Sequence, residues 1–489
     1  GDDADFMDGG STGLTRRLLG RPSVFMGIVL TVLAVIGTRG LWFGDGVLQG
    51  GALLPAPQGA SDLWSTFTQA WHDVGPGSST PSSPYLVVVA ALAALLLGKA
   101  PVAVSVALLL AMPLAGWAAY LSLRGLIASR PVRVWAGAAY ALLPAMTGAM
   151  ASGRIGTTIA AVVLPFALRS LVRICGPRGT MRRAAGSALL VAVVLATAPA
   201  LWLVLLVAGL AGALYLVRRE EAQPRAMLGR LSIGLLAPLV LLLPWSWHLL
   251  TNPALLLLEP GLSTAAITDP ELTGWDVLLL HPGGPGMTPL WITIGIVLAG
   301  VLSLLRSDRR RTIGGLAVLA GLALAMGLIQ LMVLVTPPGT STEVRPWPGQ
   351  ATLLLGGVLI AMAAAAADGL RDRFVGSSFT FGQPIAAVVA IVALFAPILS
   401  AAAFAVGLTF VVRKAPPEAV PAFVAADAES PQAPRTLVLA DRGTGLIQYS
   451  LLNGAGPLLG GGETGPPASA WQALDPYVAA VASGRGGDE

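Results

Sequence analysis

The chain has 489 residues, of which 55% are hydrophobic and only 11% charged. A soluble chain carries roughly 25% charged residues, so too little polar surface is available to wrap a soluble fold, and the mean hydropathy of +0.76 agrees. The net charge of +5 does not mark a nucleic-acid-binding protein, because the basic residues sit in short groups between apolar runs rather than on one face. A single cysteine, Cys175, excludes an intrachain disulfide and a thiolate zinc site.

The chain opens on GDDADFMDGGSTG, an acidic and structureless stretch. Residues 1–23 read as a cytoplasmic linker from a preceding domain of a longer polypeptide. Spanning helices need about 20 apolar residues. The runs that meet or approach this are Val24–Trp42, Pro101–Leu123, Val134–Met150, Gly156–Ile174, Gly186–Pro199, Leu201–Val217, Leu231–Leu250, Pro289–Leu305, Ile313–Thr336, Ala351–Ala367 and Pro384–Val412. The expectation is an all-α polytopic membrane protein of about eleven transmembrane helices over residues 24–413. The two runs around Ala198-Pro199-Ala200 are short enough to form one broken helix.

The run Tyr85–Gly98 is too short to cross, and the charges decide its treatment. Without it as a span, Arg16, Arg17, Arg21, Arg124, Arg130, Arg133, Arg169, Arg173 and the later basic loops fall inside. Only Arg39, Lys99, Arg154 and Arg345 then fall outside before the tail. Basic residues are retained on the cytoplasmic side of short loops. The N-terminus is therefore expected inside, with Tyr85–Gly98 lying at the outer leaflet. External loops follow at 43–100, 251–288 and 337–350. Residues 414–489 are expected to be an extracytoplasmic tail opening a β-containing soluble domain, since TLVLADRGTGLIQYSLL reads as two strands and a turn.

Elaborate loops on one face place the chemistry there. The first loop offers Asp45, Asp62 and Asp73 as candidate bases or metal ligands, with His72, Trp64 and Trp71 beside them; each carboxylate also fits a plain solvated loop. Arg154, in MASGRIGTT, sits on a tight turn before a helix start. A guanidinium there, with the positive helix end, suits a phosphate, although a snorkelling arginine would look the same. Glu343, Arg345 and Trp347 in GTSTEVRPWPGQ group an acid, a base and an indole. Asp269, Glu271, Asp276 and His281 form a further polar loop, and His248 in PWSWHLL reads as an interfacial residue. No P-loop, dinucleotide-binding turn, HExxH or nucleophile elbow is present. The near absence of charge inside the spans argues against an ion-coupled transporter.

The span VWAGAAYALLPAMTGAMASGRIGTTIAAVVLPFAL resembles the GT-C class of membrane glycosyltransferases, in particular the actinobacterial arabinofuranosyltransferase-like members. Tyr140, Ala141, Leu142, Pro144, Gly153, Arg154 and Pro165 carry the resemblance. It implies the membrane half of a larger protein with a family 2 glycosyltransferase domain. It further implies a polyprenyl-phosphate sugar donor, a cell-wall glycan acceptor and catalysis at the external face of the cell membrane. The base would be a first-loop carboxylate, Asp45, Asp62 or Asp73. Arg154, Arg345, Glu343, Trp347, Trp71 and His281 would bind substrate, with the cofactor unknown and a divalent metal one option. A lipid-linked sugar flippase and a non-catalytic scaffold for a fused glycosyltransferase domain stay open as alternatives.

Overall fold

The structure, a computed structural model, describes residues 22–218, 224–262, 272–338, 343–369, 382–407, 409–416, 420–428, 430–432, 434–441, 447–454 and 456–484. The expected linker residues 1–21, and Asp269 and Glu271, lie outside the described residues. All eleven apolar runs are helical over most of their length. Among the described residues, six helices are long and apolar enough to cross a membrane, or eight segments if each bent pair counts as one span. The protein is a mostly helical, multi-pass membrane protein.

The bent pairs have a local cause. Ala100–Leu109 meets Ala111–Ser122 at a bend of 58°. Pro113 cannot donate its backbone bond, and its ring crowds the carbonyl four residues back, at Leu109. The second break, of 104°, separates Arg225–Leu241 from Trp245–Thr251 just after Pro244. Pro22–Gly37, Met181–Thr197 and Trp291–Leu302 are shorter, at 16, 17 and 12 residues. The chain breaks at Ala198, so Met181–Thr197 and Pro199–Arg218 are two helices that pack on one another. Tyr85–Leu95 is an 11-residue helix, about 16 Å long against a hydrocarbon core of about 30 Å.

Helix faces divide as a bilayer requires. On Gly382–Gly407, Val388, Ile391, Phe395 and Ile398 are exposed at three- and four-residue spacing, a lipid-facing stripe. Buried core residues such as Met112, Leu143, Met146, Leu164 and Leu354 face the bundle interior. Small residues set the closest crossings. A Cβ on Gly295 would lie 2.8 Å from the Val392 backbone carbon.

The loops gather at one end of the bundle over a second core that includes Leu48, Leu63, Tyr85 and Leu459. Val47–Gln49 pairs antiparallel with Arg413–Ala415, in register Leu48 to Lys414. The expected tail hairpin forms as Thr436–Asp441 against Ile447–Leu452. The tail does not stand apart from the bundle. The Leu459 amide donates to the Pro55 carbonyl at 2.9 Å, and the Ser78 hydroxyl donates to the Gly465 carbonyl at 3.2 Å.

Gly295→Ala is expected to lose about 1–3 kcal/mol, because the crossing has no room for the methyl. Gly321→Ala, whose Cβ would meet nothing within 4 Å, is expected to gain up to about 1 kcal/mol from helix propensity. Unfolding in detergent measures both, and equal stability of the two variants would contradict this packing.

Candidate functional site

Helix Pro144–Ser152 ends on Gly153 at φ 74. That left-handed conformation is cheap only for glycine, and a Cβ would lie 2.7 Å from Leu53 Cβ. The turn delivers Arg154 as the residue preceding helix Ile155–Cys175. Arg154 is only 4% exposed. Its Nη1 lies 3.4 Å from Glu259 Oε2, and its Cζ lies 4.3 Å from the centre of the Trp347 ring. A guanidinium held over an indole and against a carboxylate uses both its charge and its flat face.

Glu259 also accepts from the Thr157 amide at 2.6 Å, which places a carboxylate on the positive end of helix Ile155–Cys175. Gly156 permits the approach, since its Cβ would sit 2.9 Å from Glu259 Oε1. The helix end suggested by the sequence as a phosphate site is thus filled by the protein's own acid. Trp347 donates its indole N–H to the Gly283 carbonyl at 3.1 Å, fixing the ring under Arg154. The Arg154 Nε has no hydrogen-bond partner.

Glu463 enters from the tail. Its Oε2 accepts from the Ser83 hydroxyl and from the Gly261 amide, the latter at 3.0 Å. Its Oε1 is buried without a partner. Burial pushes its carboxyl up to about 7, and the bonds from Ser83 and Gly261 pull the other way. Arg154, Glu259, Arg345, Trp347, His248 and Glu463 line one pocket at the loop end of the bundle. His248, expected at the interface, therefore belongs to the pocket wall.

The structure brings Arg154, Arg345 and Trp347 together, as the sequence suggested, but not the first-loop acids. Asp45 is exposed ahead of strand Val47–Gln49 and does not line the pocket. Asp62 is the third residue of helix Ala60–Thr68 and accepts from the Gly59 amide at 2.9 Å, a carboxylate at the positive end of the helix. Asp73 pairs with Arg435 at 2.7 Å and takes a second bond from Asn453. Trp71 and Glu343 are exposed, and half-buried His281 lies outside the pocket lining. Asp276 caps a short helix from Thr273. His72 is buried, which holds its imidazole below the usual range.

Sequence reasoning missed Glu259 and Glu463. Glu259 had a weak signal: a lone acid ending the apolar run ALLLLEP. Glu463 lies in GGGETGPP and had none. Among the described residues, no three His, Cys, Asp or Glu side chains cluster to hold a metal. The two pocket carboxylates bind Arg154, the Thr157 and Gly261 amides and Ser83.

No sequence-family model and no curated protein sequence matches the chain. Solved structures do. The chain aligns with arabinofuranosyltransferase AftD from mycobacteria at TM-score 0.53 and 19% identity, over 84% of this chain and 28% of that one. A mutant form of AftD gives TM-score 0.50 and 18% identity, over 84% and 29%. The oligosaccharyltransferase AglB from Archaeoglobus fulgidus gives TM-score 0.45 and 14% identity, over 84% and 58%, too distant to carry an argument. At this identity the likeness shows the fold alone: the chain shares the membrane fold of AftD, in keeping with the GT-C-like fold that the sequence resemblance implied. The chain spans under a third of AftD's length.

Arg154→Met leaves Glu259 buried and unpaired, and is expected to cost about 3–5 kcal/mol. Adding Glu259→Gln should recover much of that loss. A double variant as unstable as the single one in thermal unfolding would refute the ion-pair account. Glu463 titrates in the opposite sense to a salt-bridged acid. The fold favours its neutral form, so its stabilisation is complete below the ordinary carboxyl value of 4.5 and fades as pH rises through about 7. Wild type should therefore lose stability between pH 5 and pH 8 relative to Glu463→Gln, by at most about 3 kcal/mol. Parallel melting curves at both pH values would contradict the burial assigned to this carboxyl.

Proposed function

We propose that the chain is a membrane glycosyltransferase that takes its sugar from a polyprenyl phosphate and builds cell-envelope glycan at the external face. The observation that carries this reading is the pocket itself. It joins two arginines, an indole face and a buried carboxyl near neutrality at the loop end of a GT-C fold. The likeness to an arabinofuranosyltransferase supports the transferase class.

In the proposed reaction the acceptor hydroxyl oxygen attacks the anomeric carbon and its proton passes to a carboxylate. The bond from that carbon to the phosphate oxygen breaks, and the lipid phosphate leaves with the electron pair. Arg345 and the free edge of Arg154 hold the developing phosphate charge. Glu463 is the base we assign. It sits half-ionised near pH 7, where a base is most effective, and its Oε1 is unspent. Asp62 accepts from the Gly59 amide and Asp73 pairs with Arg435, and neither lines the pocket. Trp347 offers a flat face to Arg154 and through it shapes the floor of the phosphate site. No step is assigned to a metal.

A second reading, a non-catalytic scaffold that binds the lipid carrier, is favoured by one observation: Glu259 already neutralises Arg154. The two readings share binding and differ in transfer. Transfer from a decaprenyl-phosphate sugar, assayed with purified protein, separates them. Glu463→Gln is expected to lower kcat about 100-fold or more, and Arg345→Ala to raise KM about tenfold. Asp45→Asn is expected to leave both unchanged. Full transfer by Glu463→Gln with loss in Asp45→Asn would move the base to the first loop. Carrier binding without transfer by wild type would establish the scaffold.

A further inference from the structure

Helix Ile155–Cys175 has a second basic end. Arg169 and Arg173 lie roughly 20–30 Å along it from Arg154, at 1.5 Å per residue. With Arg230 and Arg311 they line one end of a cavity of about 1270 Å³ inside the bundle. Among the described residues, no Asp or Glu lines it. Arg169 and Arg230 are tethered through backbone carbonyls, Nη1 donating to Leu121 and to Gly179 at 2.6 Å. These contacts position the guanidinium groups without neutralising them. The buried Arg230 Nε and Ser122 Oγ have no hydrogen-bond partner. Half-buried Arg169 and Arg230, beside exposed Arg173, thus gather positive charge and unpaired donors at the rim of an apolar cavity, and an anion placed among them offsets that crowding.

The rest of the cavity is apolar, walled by Leu164, Leu168, Leu205, Leu231, Leu316 and Leu353. Its wall on this helix runs from Leu164 to Gly176, about 18 Å. That depth is close to half of the roughly 30 Å hydrocarbon core, the length available to the chains of one leaflet. Gly212 and Gly315 also line it, and a Cβ at either would meet nothing within 4 Å. The mouth is at the arginine end, where Val172 and Arg173 are exposed.

We propose that this cavity binds an anionic glycerophospholipid from the leaflet at that face. Its phosphate lies among Arg169, Arg173 and Arg230, and an acyl chain runs inward toward Leu164 and Leu353. The charge of the mouth selects a phosphate, and the one-leaflet depth selects an acyl chain over a polyprenyl tail that continues past the midplane. The site is at the opposite end of the bundle from the Arg154 pocket, and the proposal does not depend on glycosyl transfer.

The test uses the full chain, delipidated in non-ionic detergent, with retention of added lipid read by native mass spectrometry. Phosphatidylglycerol, phosphatidylcholine and decaprenyl phosphate are the probes. Wild type is expected to retain phosphatidylglycerol over phosphatidylcholine. Arg173→Gln, a change at an exposed position, is expected to weaken retention about tenfold, one charge-assisted contact. The Gly212→Leu/Gly315→Leu variant fills open space with better helix formers, so it should melt no lower than wild type yet lose the lipid. If that variant does not fold, Arg173→Gln decides alone. Equal retention of the two phospholipids, or undiminished phosphatidylglycerol in the variants, overturns the proposal. So does decaprenyl phosphate competing phosphatidylglycerol off in a manner sensitive to Arg173→Gln, since the occupant would then be the carrier.

Discussion

A charge buried at the end of a membrane bundle must be paired, and the Arg154–Glu259 contact meets that demand for this fold. The pair ties together segments distant in sequence. Arg154 comes from the turn between helices Pro144–Ser152 and Ile155–Cys175, Glu259 from the second large loop, and Trp347 from the third. Glu259 also caps helix Ile155–Cys175 through Thr157, so one carboxylate offsets a guanidinium and a helix end together. The loops cannot move apart without exposing one of these groups to an apolar neighbour. The pocket is therefore held open by an electrostatic constraint rather than by apolar packing alone.

The tail adds the second carboxylate by a different route. Glu463 is pushed up by burial, with two donors, Ser83 and the Gly261 amide, satisfying one oxygen. The two acids of the pocket thus differ in their partners. Glu259 is pushed up by burial and pulled back by Arg154 and the Thr157 amide. Glu463 lacks the arginine and stays near neutrality.

Much of the helical scaffold was legible because apolar runs and prolines are local signals. Arg154 stood out for the same reason, as a lone cation between two spans beside a glycine that takes a left-handed turn. The acids were harder. Asp62 carried a local warning, since an acid in the first turn of a helix is favoured there by the helix end and by backbone amides alone. Asp73 carried none: its partners, Arg435 and Asn453, lie far along the chain. Glu463 was illegible because its burial comes from the tail folding back onto Ser83 and Gly261. Composition cannot distinguish a tail that docks from one that begins a separate domain.

The central claim is that the Arg154 pocket takes the phosphate of a lipid carrier. An experimental structure of the protein with bound decaprenyl phosphate tests it most directly. The account predicts phosphate density within hydrogen-bond reach of Arg154 or Arg345, beside Trp347 and facing Glu463. Phosphate density lodged at Arg169, Arg173 and Arg230 instead, with the Arg154 pocket empty, would contradict it.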